Sequence, residues 1–298
     1  MEFRFTARIF DVKLVQFSTA HLRLMRFDRP IGIALLLWPT WWALFLAGGG
    51  APSLKNLAIF TAGVIVMRAA GCVINDYADR DLDPHVERTS RRPLATGEIA
   101  PRQALALFFG LLALAFALVL LTDPLTVLLS FVGALLAGTY PFFKRFTHLP
   151  QVVLGAAFGW AIPMAFAAEL GRVPEVAWWL YGINLVWVLV YDTEYAMADR
   201  ADDLAVGVKS TAILFGRLDV PILAALMGLI VAGLWLFGLR FLPHPAWYAA
   251  LAIVFGLLQV QLWRIRDRDP QACFRAFLSN HWVGFTVWMG VVGALWLR

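Results

Sequence analysis

The sequence predicts an all-α polytopic membrane protein with about nine transmembrane helices. Of its 298 residues, 61% are hydrophobic and only 15% are charged, whereas a soluble domain is about 45–50% apolar. The mean hydropathy is +0.72, and the apolar residues fall in long runs. Because a helix needs roughly 20 apolar residues to cross a bilayer core, these runs are interpreted as membrane spans.

Nine apolar stretches are long enough to span, some of them only when weakly polar ends are included. They cover 30–48, 55–75, 102–122, 124–141, 151–169, 175–192, 217–239, 245–263 and 281–297. Asp123-Pro124 alone separates the third stretch from the fourth. This predicts a tight hairpin, with proline at the first helical position behind a polar cap. Residues 1–298 are predicted to form a single transmembrane domain.

Lysine and arginine are distributed unequally between the two faces that nine spans define. Twenty of them fall in the N-terminal tail and in segments 77–102, 144–145, 193–217 and 264–280, and only four fall on the other face. Cytoplasmic segments are enriched in these residues, so we expect a cytoplasmic N-terminus. The net charge of +5 then reflects topology. Its spread over five segments argues against nucleic-acid binding.

Residues 1–29 are predicted to form a cytoplasmic segment at the membrane interface. Phe10, Leu14, Phe17 and His21 recur at helical spacing, beside basic residues that can face lipid headgroups. No short apolar run in this tail ends in the small-residue site of a cleavable signal peptide. The tail is therefore expected to lie along the bilayer surface.

The first of two acid-rich segments lies at the end of the second apolar stretch, at residues 75–83. At about 100° per residue, Asn75, Asp79 and Asp83 fall within about 80° of one another on a helix, and Asp76 lies close to the same stripe. Asp81 points away and is expected to be solvated.

The second acid-rich segment, residues 191–203, follows the sixth stretch and lies on the same predicted face. Asp199 and Asp203 are one turn apart, and Asp192 lies two turns deeper. Like charges so arranged repel unless a cation or proton intervenes, and Mg²⁺ is usually held by a few carboxylates together with substrate phosphates. The predicted metal ligands are Asn75, Asp79, Asp83, Asp199 and Asp203.

Basic residues follow both acidic segments. Arg88 is near the first, Lys209 is near the second, and Lys144 and Arg145 lie on the same predicted face just after Tyr140. Acids for a metal together with fixed cations for an anion form the usual arrangement for holding phosphates. The residues therefore predict a diphosphate bound through metal at a membrane surface, with a lipid tail that needs an apolar cavity.

These motifs resemble those of the UbiA superfamily of intramembrane aromatic prenyltransferases. The pattern Asn-Asp-x-x-Asp-x-x-x-Asp occupies 75–83, Asp-x-x-x-Asp occupies 199–203, and the order and spacing match over nearly the whole chain. Further similar segments are Arg29-Pro30-Ile31-Gly32, Tyr140-Pro141-Phe142-Phe143-Lys144-Arg145 and Gly207-Val208-Lys209-Ser210-Thr211. Tyr191-Asp192-Thr193 is most similar to members that use 4-hydroxybenzoate in ubiquinone synthesis, although Glu194 stands where glutamine is expected.

The resemblance implies helices around a central cavity, with Mg²⁺ between the two acidic motifs. It implies transfer of a polyprenyl group from polyprenyl diphosphate to 4-hydroxybenzoate, ortho to the hydroxyl, at the cytoplasmic side of a bacterial inner membrane. Lys144, Arg145 or Lys209 would neutralise the leaving group, and Asp192 or Asp76 would take a proton.

An arginine should also hold the acceptor carboxylate. Four candidates are open: Arg26, Arg29, Arg68 and Arg145. Arg68 is notable because it lies inside an apolar run, two turns before Asn75. The sequence favours Arg145 narrowly, because Tyr140 could share its pocket.

Two alternatives remain open at this point. A member of the same superfamily could use dihydroxynaphthoate, homogentisate or haem as acceptor, and a cavity with no partner for a carboxylate would indicate this. An ion-coupled transporter would show inverted repeats and broken helices at the membrane midplane. Here each acidic segment follows an even-numbered span, in parallel orientation.

Overall fold

The computed structural model describes residues 19–86 and 89–297, and every regular element within those ranges is helical. Three predicted interfacial residues lie outside them: Phe10, Leu14 and Phe17. Residues 19–24 are helical, and Leu24 is fully buried in a small apolar core that includes Val73. The end of the N-terminal tail therefore packs beneath the first acidic segment.

Twelve α-helices make up most of the described chain. They are α1 Ile31–Ala47, α2 Leu54–Asp79, α3 Pro101–Val119, α4 Pro124–Phe143, α5 Pro150–Gly159, α6 Ala161–Leu170, α7 Glu175–Ala198, α8 Arg200–Val206, α9 Thr211–Phe215, α10 Asp219–Phe241, α11 Pro245–Ile265 and α12 Pro270–Trp296. Short 3₁₀ helices occupy Asp83–His85 and Gly216–Leu218.

The long helices correspond to the predicted spans, with α5 and α6 together forming the fifth. In the described ranges, six helical segments are long and apolar enough to cross a membrane: α2, α3, α4, α5 with α6, α9 with α10, and α11. Helix α1 is apolar but shorter. The all-helical membrane architecture is thus confirmed, while the count of nine spans and the cytoplasmic N-terminus stay predictions.

The predicted hairpin between α3 and α4 is confirmed. The Asp123 side chain accepts hydrogen bonds from the backbone amides of Leu125 at 2.9 Å and Thr126 at 3.1 Å, while Pro124 occupies the first helical position. A carboxylate cap satisfies amides that have no partner within the helix, and proline loses no hydrogen bond there.

Helices α1, α7 and α12 pack closely at the centre of the bundle. The Trp42 indole donates to the Gly284 carbonyl at 2.8 Å, and the Trp187 indole donates to Asn280 Oδ1 at 2.9 Å. A Cβ at position 284 would lie 2.6 Å from a Trp38 ring carbon. Glycine allows this close approach, as small residues do at helix interfaces in membranes. All three helices also contribute residues to the cavity of the candidate active site.

Candidate active site

A cavity of about 480 Å³ opens among α1, α2, α4, α5, α7 and α12, the segment that precedes α1, and the segments that follow α2 and α7. Eleven of the thirteen predicted site residues line it: Arg68, Asn75, Asp76, Asp79, Asp83, Tyr140, Lys144, Asp192, Asp199, Asp203 and Lys209. Arg88 lies outside the described residues, and Arg145 is not in the lining. The fold therefore brings both acidic segments, more than 100 residues apart in sequence, to one cavity.

The first acidic segment lies on the last turns of α2. The Asn75 amide donates to Asp79 Oδ2 at 3.3 Å, and the Lys144 ammonium pairs with the same oxygen. Asp79 Oδ1 is buried and accepts no hydrogen bond from the described residues. An unpaired buried carboxylate oxygen is costly, and it is the kind of ligand that a hard divalent cation prefers.

Asp83 lines the cavity, but the secondary structure that positions it differs from the prediction. The continuous helical stripe through Asp83 is wrong, because α2 ends at Asp79 and Asp83 begins a 3₁₀ helix. Arg92 Nη1 donates to the two oxygens of Asp83 at 3.0 and 2.9 Å. Burial raises the pKa of Asp83 to about 6, against the opposing effect of Arg92. Asp81, as predicted, points away, with its side chain 74% exposed.

Asp76 is held by two arginines. The Arg26 Nη2 donates to both carboxylate oxygens at 2.9 Å, and Arg92 Nη1 lies 3.1 Å from Oδ1. Asp76 is only 1% exposed. A carboxylate whose oxygens are both engaged by guanidinium groups is suited to orienting those groups, and less suited to accepting a proton.

The second acidic segment lies where α7 gives way to α8. Asp199 is the junction residue, and the Asp203 amide donates to its carbonyl at 2.9 Å. Gly207, with φ 73°, ends α8 in the left-handed conformation that glycine readily adopts. Beyond it, the Lys209 amide donates to the Lys144 carbonyl at 3.2 Å. This backbone bond ties the second segment to the end of α4.

The carboxylates do not form a finished metal cage. In the described ranges, no group of three or more His, Cys, Asp or Glu side chains converges as a metal site. Two acidic segments that face one cavity from different helices would instead suit Mg²⁺ held by a few carboxylates together with substrate phosphates. The donor set, all amide and carboxylate oxygens, suits Mg²⁺.

The deeper part of the cavity contains an unpartnered cation, Arg68. Its guanidinium has no hydrogen bond or ion pair with any described residue, and Tyr140, Tyr191 and Leu154 line the same cavity. The side chain packs over Gly32 of α1, where a Cβ would collide with it. A guanidinium left unpaired in a mostly apolar surrounding is a natural partner for a carboxylate.

Arg145 takes no part in this pocket. It is exposed, and its guanidinium donates to the Ala78 carbonyl outside the cavity lining. Its neighbour Lys144 instead faces the acidic segments. Of the two arginines, the structure therefore places Arg68 in the cavity and Arg145 outside its lining.

Arg92 is the site residue whose role the sequence did not reveal. Three arginines follow the first acidic segment within ten residues, and no periodic pattern tells which one turns inward. In the structure Arg91 is exposed, whereas Arg92 bridges Asp76 and Asp83.

Together, the helical bundle and the cavity define a membrane enzyme with acidic and basic groups at one end of its site and apolar groups at the other. The chain belongs to the UbiA prenyltransferase family, whose profile matches residues 36–289. This membership removes the transporter alternative.

Proteins of high sequence identity share one name. The chain is 56% identical over 271 residues to the 4-hydroxybenzoate octaprenyltransferase of Azotobacter vinelandii, covering 91% of this chain and 92% of that protein. It is 55% identical over 277 residues to the protein of the same name from Pseudomonas aeruginosa, covering 93% and 94%.

Solved structures with the same fold are more distant in sequence. A UbiA homologue from Aeropyrum pernix K1 superposes with a TM-score of 0.76 at 24% identity, covering 87% of this chain and 96% of that one. A UbiA homologue from Archaeoglobus fulgidus bound to GPP and Mg²⁺ gives 0.72 at 21% identity, covering 90% and 99%. At these identities the likeness establishes the fold.

Proposed function

We propose that this chain transfers a polyprenyl group from polyprenyl diphosphate to carbon 3 of 4-hydroxybenzoate, giving 3-polyprenyl-4-hydroxybenzoate and diphosphate. One observation carries the proposal: a single cavity has two acidic segments and fixed cations at one end, and the unpaired Arg68 at its apolar end. The two ends match the two anionic groups that the reaction brings together. The names of the high-identity relatives agree with this assignment.

The acidic end is suited to a diphosphate held through Mg²⁺. Five residues would hold the metal: Asn75, Asp79, Asp83, Asp199 and Asp203. Bound there, Mg²⁺ would supply positive charge that stabilises the diphosphate as a leaving group. The buried, unpartnered oxygen of Asp79 supports this role.

Fixed cations complete the diphosphate site. Lys144 and Lys209 line the same end of the cavity, and their segments are joined by the backbone bond between residues 209 and 144. As the allylic C–O bond breaks, negative charge grows on the departing oxygen. Cations already in place stabilise that charge without reorganisation.

Arg68 holds the acceptor carboxylate in this proposal. It lies on α2 two turns before Asn75, on the same helix as the first acidic segment. The acceptor ring would then lie between the arginine and the metal site, with Tyr140 from α4 beside it. Such placement brings the ring carbon ortho to the hydroxyl within reach of the allylic carbon.

Proton transfer follows carbon–carbon bond formation. The ring carbon that gains the prenyl group must lose its hydrogen as a proton. Asp192 of α7 lines the same cavity as Arg68 of α2 and lies near Gln151. Asp76, in contrast, has both carboxylate oxygens engaged by arginines. We therefore assign proton acceptance to Asp192, and assign to Asp76 the orientation of Arg26 and Arg92.

Aromatic residues shield the reacting carbon from water. Tyr195 and Phe277 stack edge to face with centroids 4.9 Å apart, and both line the cavity. Their ring faces can stabilise a carbocation-like allylic carbon and exclude the water that would capture it. None of the tryptophans, all of which lie in the described ranges, lines the cavity.

The proposed location is the bacterial inner membrane, with the acidic end of the cavity on the cytoplasmic side. The excess of Lys and Arg on the face that carries both acidic segments supports this orientation.

The proposal is tested with the full chain purified in detergent or lipid vesicles. It is incubated with Mg²⁺, labelled acceptor and polyprenyl diphosphates of several lengths, and products are identified by mass. We expect prenylated 4-hydroxybenzoate. Parallel reactions contain dihydroxynaphthoate or homogentisate. Preferred prenylation of either, or no product from 4-hydroxybenzoate, would refute the proposed acceptor.

A further inference from the structure

A buried carboxylate lies outside the cavity, 16 residues after Asp203 in the sequence. Asp219 is the first residue of α10 and is 0% exposed. Its Oδ1 lies 2.7 Å from Arg268 Nη2 and 3.0 Å from Arg268 Nε, and its Oδ2 pairs with Arg200. Two guanidinium groups from separate segments therefore converge on one buried carboxylate.

Arg200 connects this carboxylate to the second acidic segment. It directly follows Asp199 and begins α8, the short helix that carries Asp203. Because α8 has only seven residues, its own hydrogen bonds fix its direction weakly. The ion pair to Asp219 attaches α8 to the much longer α10.

Arg268 connects the same carboxylate to the turn between α11 and α12. Its backbone has φ 57°, in the left-handed region that non-glycine residues rarely adopt. Its Nη2 also donates to the Arg217 carbonyl at 2.9 Å. A strained backbone persists where surrounding contacts hold it in place. Here the Arg268 side chain makes those contacts, with Asp219 and with the Arg217 carbonyl.

The first acidic segment is supported by a similar arrangement. In the described ranges one other non-glycine residue has a positive φ, Arg26 at 59°. It too binds a buried aspartate, Asp76, which Arg92 also contacts. The first acidic segment thus contains, and the second lies near, a buried aspartate that is held by two arginines, one of them with a left-handed backbone.

We infer that Asp219 is a positioning residue for the second acidic segment. By holding Arg200 and Arg268, it fixes Asp199 and Asp203 in the orientation that binds the metal–diphosphate complex. This inference rests on the proposed function, in which those two aspartates are metal ligands. Groups that orient metal ligands from outside strongly affect metal affinity.

The test uses the full chain with Asp219→Asn, which keeps the side-chain shape and removes the charge. We expect the Mg²⁺ concentration for half-maximal binding of polyprenyl diphosphate, measured by calorimetry without acceptor, to rise about 10-fold or more. The Mg²⁺ concentration for half-maximal activity should rise in parallel, while the KM for 4-hydroxybenzoate changes less than about twofold. Asp267→Asn is the matched control, since Asp267 lies in the same turn with a side chain 77% exposed, and it should leave the Mg²⁺ requirement unchanged.

An unchanged Mg²⁺ requirement would contradict the inference. A purely structural role would lower kcat, as less protein is folded, with the Mg²⁺ requirement unchanged, and would overturn the inference. If Asp219→Asn does not fold, Arg268→Lys keeps the charge but loses the forked geometry. It should raise the Mg²⁺ requirement, and an unchanged requirement overturns the inference.

Different results would refute the proposed function and the role of Asp219. An unmodified enzyme that needs no Mg²⁺ would refute the proposed function. An unmodified enzyme that needs Mg²⁺, with variants whose Mg²⁺ requirement is unchanged, would refute only the role of Asp219.

Discussion

Replacing Gly32 with alanine should weaken binding of the acceptor selectively. The added Cβ would lie 2.6 Å from Cζ of Arg68 and 2.5 Å from its Nη2, well inside van der Waals contact. The guanidinium is the far end of a flexible side chain, so it can move while α1 stays in place. Gly32→Ala therefore displaces the proposed carboxylate partner without touching the acidic segments.

The expected magnitude follows from the interaction that is lost. A hydrogen bond to a charged group contributes about 1.5–3 kcal/mol, and about 1.4 kcal/mol corresponds to a factor of ten in affinity. The KM for 4-hydroxybenzoate should therefore rise about 10- to 100-fold. The KM for polyprenyl diphosphate should stay within about twofold, because its ligands are not displaced.

The assay measures both KM values for Gly32→Ala and for a matched control, Gly63→Ala. A Cβ at position 63 of α2 meets nothing within 4 Å, so this variant isolates the effect of adding a methyl group to a helical glycine. The reasoning is refuted if Gly32→Ala leaves the acceptor KM unchanged, or if both KM values rise equally.

Three further predictions concern the metal, the acids and the fold. Excess EDTA should abolish prenyl transfer and Mg²⁺ should restore it; full activity in chelator would exclude the proposed site. Asp79→Asn and Asp199→Asn should each lower kcat/KM by about 100-fold or more. Asp81→Asn should leave kcat/KM near that of the unmodified enzyme. Equal losses in all three variants would contradict the assignment of Asp79 and Asp199, but not the exposed Asp81, to the metal site. Asp123→Ala removes the cap of α4 and should lower the free energy of unfolding by about 0.5–2 kcal/mol. A lower Tm with an unchanged KM for 4-hydroxybenzoate would show this.

The helical architecture could be predicted because length and apolar composition almost determine it. Long apolar runs in a membrane protein must satisfy their backbone groups internally, and helices do so. The turn at Asp123 could be predicted equally well, since the aspartate caps amides only two and three residues further along the chain and Pro124 directly follows it. The ends of the helices were harder to predict. Helix α2 continues to Asp79 and α7 to Ala198, beyond the apolar runs from which they were predicted.

Most residues of the candidate site could be predicted from the sequence, but the ion pairs between them could not. Carboxylates repeated at helical spacing placed Asp79 and Asp199 correctly on the cavity. The pairing of Asp76 with Arg26 and Arg92 depends on tertiary folding, which brings together residues up to 50 positions apart. Arg145 and Arg68 show the same limit, because spacing along the chain does not tell which side chain a neighbouring helix leaves room for.

Helix α2 has a consequence for how acceptor preference can change. It carries Arg68 and Asn75 on one rigid element, seven residues and therefore about 10 Å apart along its axis. The separation between Arg68 and Asn75 along the helix is thus set by helical rise and cannot be adjusted by loop motion. An insertion of one residue between them would rotate one end by about 100° relative to the other. An acceptor of different length would instead require the cation to move by a whole turn, to a position such as Val64 or Cys72, with a new glycine opposite to admit it.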